Sequence, residues 1–313
     1  MADGMARYLA LRFLRAVATV FGVCTLVFLL VHLIPGDPID AILGDQAAPE
    51  DRVALRKSLH LDEPLATQYL RFGGSLLDGS LGHSYRASER TVSSLMAEVL
   101  PHTAVLALAS LLVAFALAIP LGALAAYHRG RAWDRSASGL AMLGLAIPNI
   151  WLGPLLVLFF GVRLQLLPLP GDDPTRASAL VLPAFTVGTA LMAILTRQTR
   201  AALIEVLGQP YILAARARGV GAPALLFDHA LRNALLPVMT VGAAQLGALL
   251  SGTVITEKIF ERPGLGTLFL DAFFARDIPV VQGCVLVIAV IYVAVNLLLD
   301  LLYAAADPRV RLR

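Results

Sequence analysis

Gly219-Val220-Gly221-Ala222-Pro223-Ala224 has the spacing G-x-G-x-x-A with which a dinucleotide's pyrophosphate is held at a helix N-terminus. That chemistry needs a strand before the first glycine. Here a run of strong helix formers, Ala214 to Arg218, precedes it, so the spacing is a chance one. Phosphate binding by a P-loop needs Gly-Lys-Ser/Thr after a glycine-rich turn, yet the only lysines, Lys57 and Lys258, follow Arg56 and Glu257. No serine has glycines two residues to either side of it as a nucleophile elbow requires. The histidines, His32, His60, His83, His102, His128 and His229, are scattered without metal-ligand spacing. Cys24 and Cys284 both fall inside apolar segments and suggest no disulfide framework. The expectation is a chain that is not an enzyme, binds no metal and holds no cofactor of its own.

The remaining polar groups of interest sit among apolar neighbours. Gln245, Ser251, Thr253 and Thr256 share one apolar run with Gly242, Gly247 and Gly252. Two readings of this density are compatible: close helix packing through the glycines, and a helix lining a solute path. Glu257 and Asn149 are carried with them as path candidates, although the Ile147-Pro148-Asn149 break reads first as a packing kink. Asp300 is the best intramembrane ionisable group. Two turns from the end of its run, it is expected to pair with an arginine or meet headgroup water.

The elements that must position these groups are apolar helices. The 313 residues are 58% hydrophobic and 15% charged, with mean hydropathy +0.76, which is the balance of a polytopic membrane protein. A pI near 9.1 raises nucleic acid as a partner, but no basic run is interleaved with aromatics and the arginines gather at the ends of apolar runs. Membrane lipid, not nucleic acid, is the expected contact.

Phe13–Ile34 is long enough to cross about 30 Å of hydrocarbon at about 1.5 Å per residue. With no small-x-small cleavage site behind it, it is expected to stay as an anchor. Further spans are read at Val99–Ala126, Ala137–Val162, Leu180–Thr199, Leu236–Ile255 and Val280–Ala304, six in all. Both termini then lie on one side. With the N-terminus inside, fourteen of the 25 Lys and Arg residues are inside and eleven outside, six of these in a long external segment that the positive-inside rule discounts. The division expected is 1–34, N-terminus and first span; 35–98, an extracytoplasmic helical segment; 99–304, a five-helix core with a cytoplasmic loop at about 203–235; and 305–313, a cytoplasmic tail. Within 35–98, Pro35-Gly36-Asp37-Pro38 ends the first helix and Pro49-Glu50-Asp51 opens a surface helix. Leu61-Asp62-Glu63-Pro64 breaks that helix, Gln68-Tyr69-Leu70 sits in a second one, and Asp78 to Gly82 is a turn.

One stretch breaks the apolar pattern. From Tyr211 to Pro237 the chain is polar and basic between two membrane-length runs. Ala214, Ala215, Arg216, Ala217 and Arg218 favour helix, Gly219 suits a left-handed C-cap, and Pro223 suits the first turn of a second helix. The result is a stiff elbow whose small residues, Ala214, Ala215 and Gly219, are expected to share a face that fits deep into a partner's groove.

Leu213-Ala214-Ala215, Gly219 and Leu236-Pro237 resemble the cytoplasmic "EAA" loop of the inner-membrane permease subunits of ABC importers. Leu213 stands where that loop has glutamate, and the interval from Gly219 to Pro237 is longer than the general pattern. Both departures, together with Ala217-Arg218-Gly219 and His229-Ala230-Leu231-Arg232-Asn233-Ala234, are similar to the dipeptide/oligopeptide branch. So are Gly79-Ser80-Leu81-Gly82-His83-Ser84, Thr256-Glu257 through Phe260, and Pro263-Gly264-Leu265-Gly266.

The resemblance implies a six-helix type I importer permease with a small external domain between the first two spans. It implies a second, similar permease subunit, two cytoplasmic ABC ATPases that use ATP and Mg, and an extracytoplasmic solute-binding protein, in the cytoplasmic (inner) membrane. It places ATPase coupling at Ala214, Ala215, Arg216, Arg218, Gly219, Gly221 and Pro223. Peptides are the implied cargo; nickel complexes or another small solute remain open within the branch. An ion-gradient carrier would need inverted repeats and midplane carboxylates, which are not evident, and a non-transport scaffold is the weakest reading.

Overall fold

The computed structural model describes residues 2–33, 37–44 and 47–306. Among them there is no strand, only an isolated bridge between His83 and Thr91. The helices in chain order are α1 (Ala2–Leu33), α2 (Pro38–Leu43), α3 (Pro49–Ser58), α4 (Leu65–Leu77), α5 (Val92–Tyr127), α6 (Ala132–Ala146), α7 (Asn149–Leu156), α8 (Ser178–Leu207), α9 (Pro210–Ala217), α10 (Ala222–Ala224), α11 (Arg232–Gly252), α12 (Val254–Ile259), α13 (Leu265–Phe274) and α14 (Ile278–Ala306). Two π-helical stretches, Val157–Arg163 and Leu225–Leu231, continue α7 and α10. The chain forms two compact units, one of residues 1–103 with 263–313, the other of residues 104–262.

Four helices are long and apolar enough to cross a membrane among the described residues, over Ala10–Leu29, Val92–Tyr127, Ser178–Leu207 and Ile278–Leu299. These contain most of the first, second, fourth and sixth expected spans. The third expected span, Ala137–Val162, is not one helix. α6 stops at Ala146, α7 starts at Asn149, and the axes turn by 98°. Pro148 has no N–H to donate and forces the residue before it out of the α region, so Ile147 sits at φ −88°, ψ 114°. The expected kink is therefore a near right-angle break. The fifth expected span begins inside α11, but that helix ends at Gly252 and a separate short helix follows. The Pro35-Gly36 stop and the C-terminal tail from residue 307 lie outside the described residues, as do the side chains of Ser251 and Asp300.

In the unit of residues 104–262, α8 is the central helix: 67% of its apolar stretch is buried, against 17% in α1 of the other unit. Glycines let its neighbours close in. A Cβ on Gly122 would stand 2.5 Å from Thr199 Cβ, one on Gly144 2.4 Å from the Thr189 carbonyl oxygen, and one on Gly188 2.8 Å from the Ser110 carbonyl oxygen. This is how bare helices pack where no water drives them together. Gly242 of α11 likewise receives the Phe115 ring, 2.2 Å from where a Cβ would be.

In the other unit α1 packs along α14, and α13 folds back on α14. The loop after α4 is polar and knotted. Ser84 Oγ donates to Asp277 Oδ2, Tyr85 N–H donates to Asp277 Oδ1 at 3.0 Å, and Val92 N–H donates to the Gly82 carbonyl at 2.9 Å. α3 and α4 fall where Pro49 and Gln68-Tyr69-Leu70 place them, and the 78–82 turn has Gly79 and Gly82 at φ +76° and +85°. α2 is added in front of them, its N-cap Asp37 accepting from Ile39 N–H at 2.9 Å.

Candidate functional site

The elbow begins where α8 ends at Gly208 and Pro210 opens α9. Ile212 and Ala215, three residues apart on one face, are buried in the core that also holds Leu225, Ala230, Ala234 and Val238. The helix closes as the glycine foretold. Gly219 has φ +87°, its N–H donates to the Arg216 carbonyl at 3.0 Å, and Val220 N–H reaches back to the Ala215 carbonyl at 3.2 Å. That pair of bonds is a Schellman cap, and Val220 packs against the same core as Ala215. Gly221, extended, is the N-cap of α10, and Pro223 stands in its first turn. Asn233 at the start of α11 donates to Tyr211 Oη at 2.7 Å, tying the far end of the elbow to its beginning.

The three small residues do not share one face. Ala215 is 1% exposed and points inward, while Ala214 and Gly219 lie at the surface with Arg216 and Arg218. Successive helical residues are about 100° apart, so neighbours 214 and 215 separate, one to the core and one to solvent. A Cβ at Gly219 or Gly221 would meet nothing within 4 Å. What the elbow offers is thus Ala214, Gly219 and Gly221 flanked by two guanidiniums at the negative end of the α9 dipole, on a rigid base.

The path candidates are dispersed. Thr253, Thr256 and Glu257 are each fully buried, with Thr253 Oγ1 donating to Glu257 Oε1 at 3.2 Å. Arg262 is 6% exposed and its backbone N–H donates to the Glu257 carbonyl at 2.9 Å; burial pulls its guanidinium pKa down, and the Glu257 charge opposes that. Thr256 Oγ1 has no hydrogen-bond partner among the described residues. These three side chains have no surface to offer a solute in this conformation. Gln245 and Asn149 are half-buried on α11 and at the start of α7.

Two anchors have no local sequence signature. Asp134, 5% exposed, takes a fork from Arg200 (Nε to Oδ1 2.7 Å, Nη2 to Oδ2 2.8 Å) and the Gly130 N–H at 2.8 Å. It fixes the α5–α6 turn to the last third of α8, the helix that runs into the elbow. Asp277, also 5% exposed, gathers the 84–85 loop. Acids next to a turn glycine or a helix start were the available hint; their partners, 66 and 193 residues away, were not.

Residues 118–312 match the family described as binding-protein-dependent transport system inner membrane component, and residues 5–107 match the N-terminal part of such membrane components. The chain is 37% identical to the dipeptide transport system permease protein DppB of Escherichia coli (strain K12), over 98% of this chain and 99% of that one. It is also 37% identical to the oligopeptide transport system permease protein AppB of Bacillus subtilis (strain 168), again over 98% and 99%. In fold it is similar to a chain of the MetNI methionine ABC transporter in an inward-facing conformation, with 20% identity, a TM-score of 0.56, and coverage of 68% of this chain and 96% of that one. An all-α chain with several membrane-length helices, matched by these two models over nearly its whole length, belongs to the inner-membrane components of binding-protein-dependent transport systems.

Proposed function

We propose that this chain is one permease subunit of an ABC importer that moves di- and oligopeptides across the cytoplasmic membrane by alternating access. It pairs with a second, similar permease; two cytoplasmic ATPases bind and hydrolyse ATP, and an extracytoplasmic binding protein delivers the peptide. The peptide cargo rests on what the relatives are named for. On this reading six segments span the bilayer, with both termini and the loop at about 203–235 in the cytoplasm and residues 35–98 outside.

The observation that carries the reading is the elbow. Its Schellman cap, buried Ile212 and Ala215, and Asn233–Tyr211 bond make it a rigid knuckle with an open, small, basic surface. A rigid element transmits displacement from a closing ATPase where a flexible loop would absorb it. Swinging a two-state permease from mostly inward to mostly outward takes about 5.5 kcal/mol of differential binding through such a contact.

Gly219→Trp tests it. The space beside Gly219 is open, so the cost within the chain is that of a positive φ, about 1 kcal/mol. In proteoliposomes holding the whole complex, the variant is expected to insert and assemble but to lose ATP-driven peptide uptake. Undiminished uptake would overturn the assignment. Arg218→Cys, in a background lacking Cys24 and Cys284, is expected to react with an impermeant thiol reagent only from the cytoplasmic side.

A further inference from the structure

The turn between α5 and α6 carries a charge that the chain itself does not answer. Arg129, Arg131 and Arg135 are exposed, and none of the three makes an ion pair with a described residue. Between residues 99 and 171 the sequence holds a single acid, Asp134, and Arg200 takes both of its oxygens, at 2.7 and 2.8 Å. Glu205, near the end of α8, is exposed and forms no ion pair with them either. The three guanidiniums are therefore left for a negative group outside this chain. The turn that presents them is already fixed. Gly130 sits at φ +77° and its N–H donates to Asp134 Oδ2 at 2.8 Å, while Arg131 N–H donates to the His128 carbonyl at 2.9 Å. Little ordering remains to be done on binding.

The surroundings of the arginines narrow the class of that group. Residues 104–126 carry no charge and, at about 1.5 Å per residue, cover about 35 Å, so the turn begins where about 30 Å of hydrocarbon ends. Tyr127 and Trp133 flank it, 50% and 61% exposed, with the His128 ring between them at centroid distances of 4.9 and 6.5 Å. Such rings, apolar with a polar tip, suit the boundary between acyl chains and headgroups. Beyond the turn, Trp133, Leu140 and Leu143 lie toward one side of α6, each more than half exposed. An acidic protein surface would answer the arginines and leave this apolar strip bare. A phospholipid answers both, with its phosphate at the cations and its chains along the strip.

We propose that the α5–α6 turn holds a phospholipid of net negative headgroup, its phosphate taken by Arg129, Arg131 and Arg135 and its chains laid against Trp133, Leu140 and Leu143. The positive-inside rule asks only for positive charge in such a loop; a held lipid also uses the rings, the apolar strip and the fixed turn. The inference needs a chain that spans a membrane and is independent of the cargo it moves.

The test uses the full chain with Trp151→Phe, which leaves Trp133 as its only tryptophan, in phosphatidylcholine vesicles. Trp133 fluorescence is quenched with rising fractions of phosphatidylglycerol or of phosphatidylcholine, each carrying the same brominated acyl chains. Phosphatidylglycerol is expected to be preferred at Trp133 by about fivefold or more, and the preference to shrink as ionic strength rises from about 0.1 to 1 M. Equal quenching by the two lipids would overturn the proposal, a comparison in which all three arginines are present. The combined variant Arg129→Gln, Arg131→Gln, Arg135→Gln changes only exposed side chains and is expected to bring the preference to about one; the Arg218→Cys labelling above, repeated in it, checks that it inserts the same way round. A preference unchanged in that variant would place the lipid elsewhere and sink the proposal. Native mass spectrometry of the whole complex from mixed micelles supplies the second measurement, with the unmodified complex expected to retain more phosphatidylglycerol than the variant. Equal retention there, beside a preference in the chain alone, would mean that a protein subunit covers the turn in the assembly, and it too would overturn the proposal.

Discussion

The helices around α8 and the polar segment between α1 and α5 are held together by opposite means. Around α8 the contacts are steric: Gly122, Gly144, Gly188 and Gly242 each stand where a Cβ would lie closer than 3.0 Å to a neighbour. Between α1 and α5, a Cβ at Gly73 or Gly74 would meet nothing within 4 Å, and the order comes from Arg56–Asp37, Arg71–Glu63 and Ser84–Asp277. A bilayer gives helices no hydrophobic reason to associate, so close approach does the work there. The segment between α1 and α5, with few buried residues, relies on charges and caps.

The largest test of this contrast is Gly144→Leu, which drives a side chain into the Thr189 carbonyl and is expected to cost about 3 kcal/mol or more, seen as a lowered Tm and yield in detergent. Gly74→Ala in α4 meets open space and is expected to be neutral or to stabilise by about 0.5–1 kcal/mol. Equal losses from the two would erase the distinction. Next comes Asp134→Ala, where steric packing borrows a charge: it strips Arg200 of its fork and is expected to cost about 2 kcal/mol, read by the same melts. Asp134→Glu, longer by one methylene, should recover only part.

The smallest effect is a pH dependence of the polar segment. Glu63 is held below its usual 4.5 first by the hydrogen bonds from Arg71, against desolvation, with smaller help from the charges of Arg71 and His60 and the hydrogen bond from His60. A depressed carboxyl stabilises above its unfolded pKa and loses that contribution as pH falls through the folded one. Hydrogen-exchange protection of α3 and α4 is expected to be flat from pH 7 to about 5 and to fall below about 4. Glu63→Gln should flatten the profile.

Much of the architecture was legible because run length and punctuation are local. Apolar runs of about twenty residues mark spans, and Pro49, Pro64, Gly79, Gly219 and Pro223 act through their own backbone preferences. Pro148 announced a break but not a 98° turn, since the angle is set by what each half packs against. The short apolar helix α13 was hidden because ten residues suit neither a span nor a surface loop. At the elbow, alanine content suggested a small face but could not say which alanine the core would claim. The path candidates show the same ambiguity: a buried Thr or Glu in an apolar run reads identically whether it faces a channel or its own helix bundle.

The π-helical stretch Leu225–Leu231 falls within the interval from Gly219 to Pro237. Such a stretch stores a surplus residue in a wide turn while the regular helix on either side keeps its bearing. The chain therefore carries slack just beyond the Gly219 elbow. A residue added or removed there can be absorbed without rotating Ala234 and Val238 out of the core, so the length of this segment is decoupled from the packing of the bundle.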